Sequence, residues 1–179
     1  MKSDKNYFKF LILLVVGLLI RLIPFRAPNV EPILAMTMPL GRALGAFSAF
    51  SFAVLSIIFY DFMTHTFGVQ TFFTLSAYGI LGLWSASYFK KNNGDKWSYV
   101  RFAVMGTLFF DAATGLTVGP LFFHQSFLNS FLGQIPFTLL HLLGNVTFAY
   151  FLSPIIYHYL IRKKKENMSS INILNPKTI

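Results

Sequence analysis

The chain has 179 residues, 55% of them hydrophobic and only 12% charged, with a mean hydropathy of +0.59. A soluble domain carries roughly a quarter charged residues, so the composition excludes an ordinary water-soluble fold. With no cysteine, disulfides, thiolate catalysis and zinc–thiolate centres are excluded as well.

Several apolar runs reach the roughly 20 residues needed to cross about 30 Å of hydrocarbon. The reading is one all-α membrane domain over residues 1–162 with six transmembrane helices. The N-terminus, MKSDKNYFKFLILLVVGLLIRLIPF, imitates a secretory signal, but it lacks a small-residue cleavage site and Arg21 and Arg26 follow its apolar run. It is read as a retained first span over 8–23, ending at Pro24. The polar loop RAPNVEP (26–32) leads into a short second span, 33–40, with Pro39, Gly41 and Arg42 marking its end or a sharp kink. The third span covers 43–62 and the fourth 70–89. KKNNGDK (90–96) is a loop rich in turn formers. The fifth span covers 99–123 and the sixth 131–161. Residues 163–179 form a basic, then polar tail, whose end MSSINILNPKTI is expected to be loosely ordered.

Basic residues fix the predicted orientation. Lys2, Lys5 and Lys9, then Arg42, then Lys90, Lys91, Lys96 and Arg101, then Arg162 to Lys165 all fall on one side of a six-span chain. That side is the cytoplasm and holds both termini. Merging the second and third spans would put the two strongest basic clusters on opposite sides. Arg21 and Arg26 dissent, and are expected to snorkel to the outer headgroups. The net charge of +9 thus reflects topology and contact with anionic lipid, with no nucleic-acid partner.

Polarity is lopsided within the spans. Gln134, Thr138, His141 and Asn145 are spaced 4, 3 and 4 residues apart, on one helical face in the outer half of the sixth span. The outer half of the fifth carries Asp111, Thr114 and Thr117, that of the fourth Thr71, Thr74 and Tyr78, and Asp61 and His65 end the third. Asn29 and Glu31 lie in the first outer loop. Asp111, near mid-membrane, is a functional candidate by default, since a carboxylate there is costly. These groups predict an outward-facing polar cavity. His141 and Asn145 fit helix–helix hydrogen bonds equally well, and the threonines fit bonds to their own helix backbone. Tyr78 or Trp84 could stack on a flat ligand. No spacing supports a metal site at His65 or His124.

Gly41, Gly45, Ala49 and Ala53 form a small-residue stripe, which suits either intramolecular packing or docking to a partner subunit. The chain has no Gly-x-Ser-x-Gly, no His-Glu-x-x-His and no Walker A loop. It is read as non-catalytic, without a cofactor, and unable to drive transport with ATP by itself.

The stretches PNVEPILA (28–35), LGRALGAFSAF (40–50), FYDFMTHTFG (59–68), FFDAATG (109–115) and IPFTLLHLLGN (135–145) are similar to the substrate-binding S components of energy-coupling factor (ECF) transporters. The resemblance covers about residues 10–162. It implies capture of a vitamin or related micronutrient from outside, and association with a membrane coupling subunit and two ATP-binding-cassette ATPases. By matching position it implies ligand contacts from Asn29, Glu31, Asp61, Tyr78, Asp111, Thr114, His141 and Asn145, with Tyr78 stacking on the ligand. A flat heterocycle or a large cofactor such as a cobalamin, riboflavin or a queuosine precursor fits this reading. The chain departs from the family in lacking an Ala-x-x-x-Ala motif in its first helix, where the only glycine is Gly17; the stripe on the third span is the candidate substitute for the docking role. Two other readings stand beside this one. One is a membrane scaffold similar to the rod-shape-determining proteins. The other is a membrane-embedded enzyme using Asp111 and His141 as an acid–base pair.

Overall fold

The computed structural model describes the backbone of residues 2–25 and 30–174 and the side chains of 6–25 and 30–160. Seven helices make up the described secondary structure: α1 (Lys2–Arg21), α2 (Ile33–Leu44), α3 (Ala46–Met63), α4 (Val69–Lys91), α5 (Lys96–Gly115), α6 (Val118–Phe122) and α7 (Phe127–Leu174). Six correspond to the predicted segments and α6 is a single short turn. Three stretches are long and apolar enough to cross a membrane: Ala46–Met63, Lys96–Phe122 and Phe127–Leu160. By length and composition this is a multi-pass membrane protein.

Three predicted boundaries need correction. The second segment does not end at Pro39–Arg42. Helix α2 continues to Leu44 and breaks at Gly45, whose φ of 97° a side chain would disfavour. Pro39 cannot donate to the carbonyl of Ala35, four residues back. That carbonyl instead accepts from the buried Ser153 hydroxyl at 2.7 Å, so the helix survives its proline. The fifth segment is two helices, interrupted at Leu116 and Thr117. The last helix runs on to Leu174 rather than ending near 161.

Helix α2 is the centre of the bundle. Residues Ile33 to Gly41 are all buried, in contact with α3, α4, α5 and α7. Being apolar all round, it belongs inside. Its 12 residues span only about 18 Å, too short to cross hydrocarbon unaided.

Small residues set the helix spacing. A Cβ on Gly82 would sit 2.8 Å from the Phe50 nitrogen and 2.9 Å from the Ala49 carbonyl, and one on Gly41 2.2 Å from Ser85 Oγ. The predicted stripe is therefore taken up internally. Gly41, Ala49 and Ala53 are buried against neighbouring helices, and Gly45 is the helix break. Three of the stripe's four positions are thus covered by packing within the chain, while Gly45 is half-buried with open space where a Cβ would lie.

Polarity is inverted relative to a soluble bundle. Ser56, Ser85, Thr107, Asp111, His141, Asn145 and Ser153 are buried, while Phe47, Phe62, Phe72, Leu139, Leu143, Phe151 and Ile155 are exposed. Water would penalise such an exterior; hydrocarbon does not.

The two ends of the bundle differ. At one, Arg42 donates to the carbonyls of Gly94 (2.7 Å) and Asn93 (2.8 Å) and lies 3.7 Å from the Tyr157 ring centre. It fastens the α4–α5 loop, from which Asp95 caps α5 by accepting the Ser98 N–H. Lys9 joins α1 to α7 nearby, donating to the carbonyls of Tyr159 (2.7 Å) and Leu160 (2.8 Å). The other end, where α1, α3 and α5 finish and α2, α4 and α7 begin, holds a cavity.

Candidate functional site

The cavity has a volume of about 270 Å³. Of the eight predicted contact residues, Glu31, Asp61, Tyr78, Thr114 and His141 line it. Asp111 and Asn145 stand behind the wall, and Asn29 lies outside the described residues.

Helices α5 and α7 are cross-linked by two polar rungs, each one turn from the next. Asp111 Oδ1 lies 2.7 Å from His141 Nδ1, and Asn145 Nδ2 donates to Thr107 Oγ1 at 2.8 Å. Asp111 is 2% exposed, His141 3% and Asn145 1%. Such pairs persist in an apolar bundle because an unmade buried hydrogen bond costs about 1–3 kcal/mol. With its Nδ1–H directed at Asp111, a neutral His141 ring keeps Nε2 as its acceptor. Asp111 Oδ2 and Asn145 Oδ1 are buried acceptors without a partner among the described residues.

The cavity mouth is built from α1, α3 and α4 and the segment before α2. Arg21 is a cavity-lining residue that the sequence reading placed elsewhere. It does not snorkel to headgroups but is 7% exposed and lines the cavity. It donates to the Ser56 carbonyl at 3.1 Å and to Glu31 Oε1 at 3.3 Å, with Nε also 3.3 Å from Glu31 Oε2. Its guanidinium carbon lies 3.7 Å from the Tyr60 ring centre. A carboxylate ten residues on, beyond a proline turn, was the available signal for this pair. Across the mouth, the Thr71 hydroxyl donates to Asp61 Oδ2 at 2.6 Å. Gly144 lets the chain at Val30 pass close to α7: a Cβ there would lie 3.0 Å from Val30 Cα.

Aromatic rings supply the apolar wall. Tyr78 is almost wholly buried and already packs on Phe110, ring centres 4.5 Å apart. It serves as wall rather than as a free stacking platform. Phe110 and Phe137 stand edge-on to His141 at 5.5 and 5.8 Å. Neither Phe was singled out beforehand; among 22 phenylalanines nothing distinguished them. Also in the wall are Thr66, which falls in the loop between the third and fourth predicted spans, and Gln70, the first residue of the fourth.

The predicted polar face of the last segment divides. Gln134 and Thr138 do not join His141 but border a separate groove of about 290 Å³ between α5 and α7. The cause is Gly115: a Cβ there would meet Gln134 Oε1 at 1.8 Å, so the missing side chain is the space that Gln134 fills. Trp84 packs on Phe102 and Phe109, away from the cavity. Among the described residues no three His, Asp or Glu converge to hold a metal ion.

No protein-family model matches the chain, and no curated protein or solved structure is significantly similar to it.

Proposed function

We propose that this chain is the solute-capturing subunit of an ECF-type transporter, taking a vitamin-like small molecule from outside. The observation that carries the reading is the cavity itself. In a bundle with an apolar exterior, polar groups from five helices converge at one end. That is the composition of a small-molecule site.

Orientation follows from the bases. Arg42, Lys90, Lys91 and Lys96 lie at or beside the α4–α5 loop, at the end opposite the cavity. The positive-inside rule places that end in the cytoplasm. The chain then crosses six times with both termini inside, α2 being sheltered by its neighbours over its short length. At about 270 Å³ the cavity lies just under the roughly 300–1,000 Å³ of drug-sized sites, which favours a compact heterocycle over a corrin. The chain carries no Walker A loop, so uptake relies on a coupling subunit and two ATPases. With most of the small-residue stripe covered, the coupling subunit docks on the exposed apolar exterior.

The Asp111–His141 bond favours a second reading, a membrane-embedded acid–base enzyme. Within this reading the Thr114 hydroxyl is no free nucleophile, since it donates to its own helix at Phe110 O, 2.8 Å away.

Thermal unfolding of the purified chain against a panel of vitamins and related heterocycles tests the proposal. A ligand at a hundred times its Kd stabilises by about 2.7 kcal/mol. Capture expects one compound to give such a shift, and Thr114→Trp, which fills the cavity, to abolish it. A panel without a single shift overturns the proposal, and turnover of a bound compound replaces it with the enzyme.

A further inference from the structure

Resting on the reading of the cavity as a solute site, the charge and hydrogen-bond polarity of its wall narrow the class of solute. The wall has one described Lys or Arg, Arg21. Glu31 pairs with it, Ser56 O accepts from it and Tyr60 covers its face. Its charge is matched by Glu31. Asp61 is different. Thr71 donates to its Oδ2, but no described Lys or Arg forms an ion pair with it. Behind the wall, Asp111 faces His141 and meets a countercharge only when that ring carries a second proton. Among the described residues of the site, negative charge is in excess.

The threonines point the same way. The Thr71 hydroxyl proton goes to Asp61, that of Thr74 to Gln70 O (3.0 Å) and that of Thr114 to Phe110 O (2.8 Å). Thr64 donates to Tyr60 O, so in the 2.8 Å contact between Thr64 and Thr66 the proton is that of Thr66. All four wall threonines therefore offer the cavity lone pairs and no donor.

We propose that the solute is a compact organic cation bearing N–H donors, an amine or amidine on a flat ring, held with its charge toward Asp61. The Asp61 carboxylate in the wall, with no described Lys or Arg paired to it, disfavours an anion by repulsion and a neutral molecule by the missing charge.

The test uses three molecules of one shape: benzamidinium, benzamide and benzoate. Isothermal titration of the full chain in detergent should show benzamidinium binding about tenfold tighter than benzamide, the difference a charge-assisted hydrogen bond makes. Benzoate should be weakest, and Asp61→Asn should remove the preference for the cation. Benzamide or benzoate binding as tightly as benzamidinium overturns the assignment. So does failure of benzamidinium to bind, or an Asp61→Asn protein that keeps the preference. The trio on the unaltered chain decides the matter even if Asp61→Asn does not fold. The underlying capture reading is judged separately, by the charge of any solute that copurifies. A neutral or anionic solute leaves capture standing and removes the cation; the absence of any solute at any charge removes both.

Discussion

The rung between Asp111 and His141 should behave as one energetic unit. Asp111→Ala leaves the Nδ1–H of a His only 3% exposed without its acceptor 2.7 Å away. An unsatisfied buried donor costs about 1–3 kcal/mol, so the expected loss is about 2 kcal/mol. His141→Ala strands Asp111 with both oxygens unpaired, since Oδ2 already lacks a partner, and removes the ring between Phe110 and Phe137. Its expected loss is about 4 kcal/mol, a stranded buried carboxylate costing about 3–5. Removing both groups leaves neither stranded. The double variant should thus lose less than the sum, with a coupling of about 2 kcal/mol, inside the 0.5–3 usual for contacting pairs. Equilibrium unfolding by SDS in mixed micelles, run on all four proteins, measures it. Additive losses would show that the two side chains do not depend on each other and would refute the description of the site.

Three further outcomes follow from the packing and the topology. Gly82→Ala, whose Cβ would meet the α3 backbone at 2.8–2.9 Å, should destabilise by about 1–3 kcal/mol in the same assay, whereas Gly133→Ala, with open space around it, should be silent. Arg42→Ala should free the 92–95 loop to proteolysis and hydrogen exchange, and Arg42→Lys should not rescue it, because a lysine cannot both reach two carbonyls and stack flat on Tyr157. As the chain has no cysteine, His65→Cys and Asn93→Cys each give a single thiol. In intact cells an impermeant thiol reagent should label the first and spare the second; the reverse pattern would invert the topology.

Much of the helical plan was legible because hydrocarbon thickness dictates run length, and the fourth segment matches α4 to within two residues at each end. The α2–α3 break was misplaced because proline is locally the stronger helix-breaking signal. Only the fold reveals that Ser153, on a helix far along the chain, supplies the donor that Ala35 O would otherwise lack. Arg21 was misread for a related reason: at a helix end an arginine that snorkels and one that folds inward look the same until Glu31 and Tyr60 are placed beside it. The four-residue and three-residue spacings of the last segment correctly put His141 and Asn145 on the face toward α5. They could not show that Gly115 draws Gln134 aside. The converging carboxylates were readable as polar groups in apolar runs; which threonine proton goes to which acceptor was not.

Native mass spectrometry of the purified chain in detergent, followed by solvent extraction, tests solute capture most directly. The account expects a stoichiometric small organic molecule on the wild-type protein and its absence from Thr114→Trp. A bare mass in both, unmoved by added vitamins, would contradict it and turn attention to a protein partner in place of a ligand.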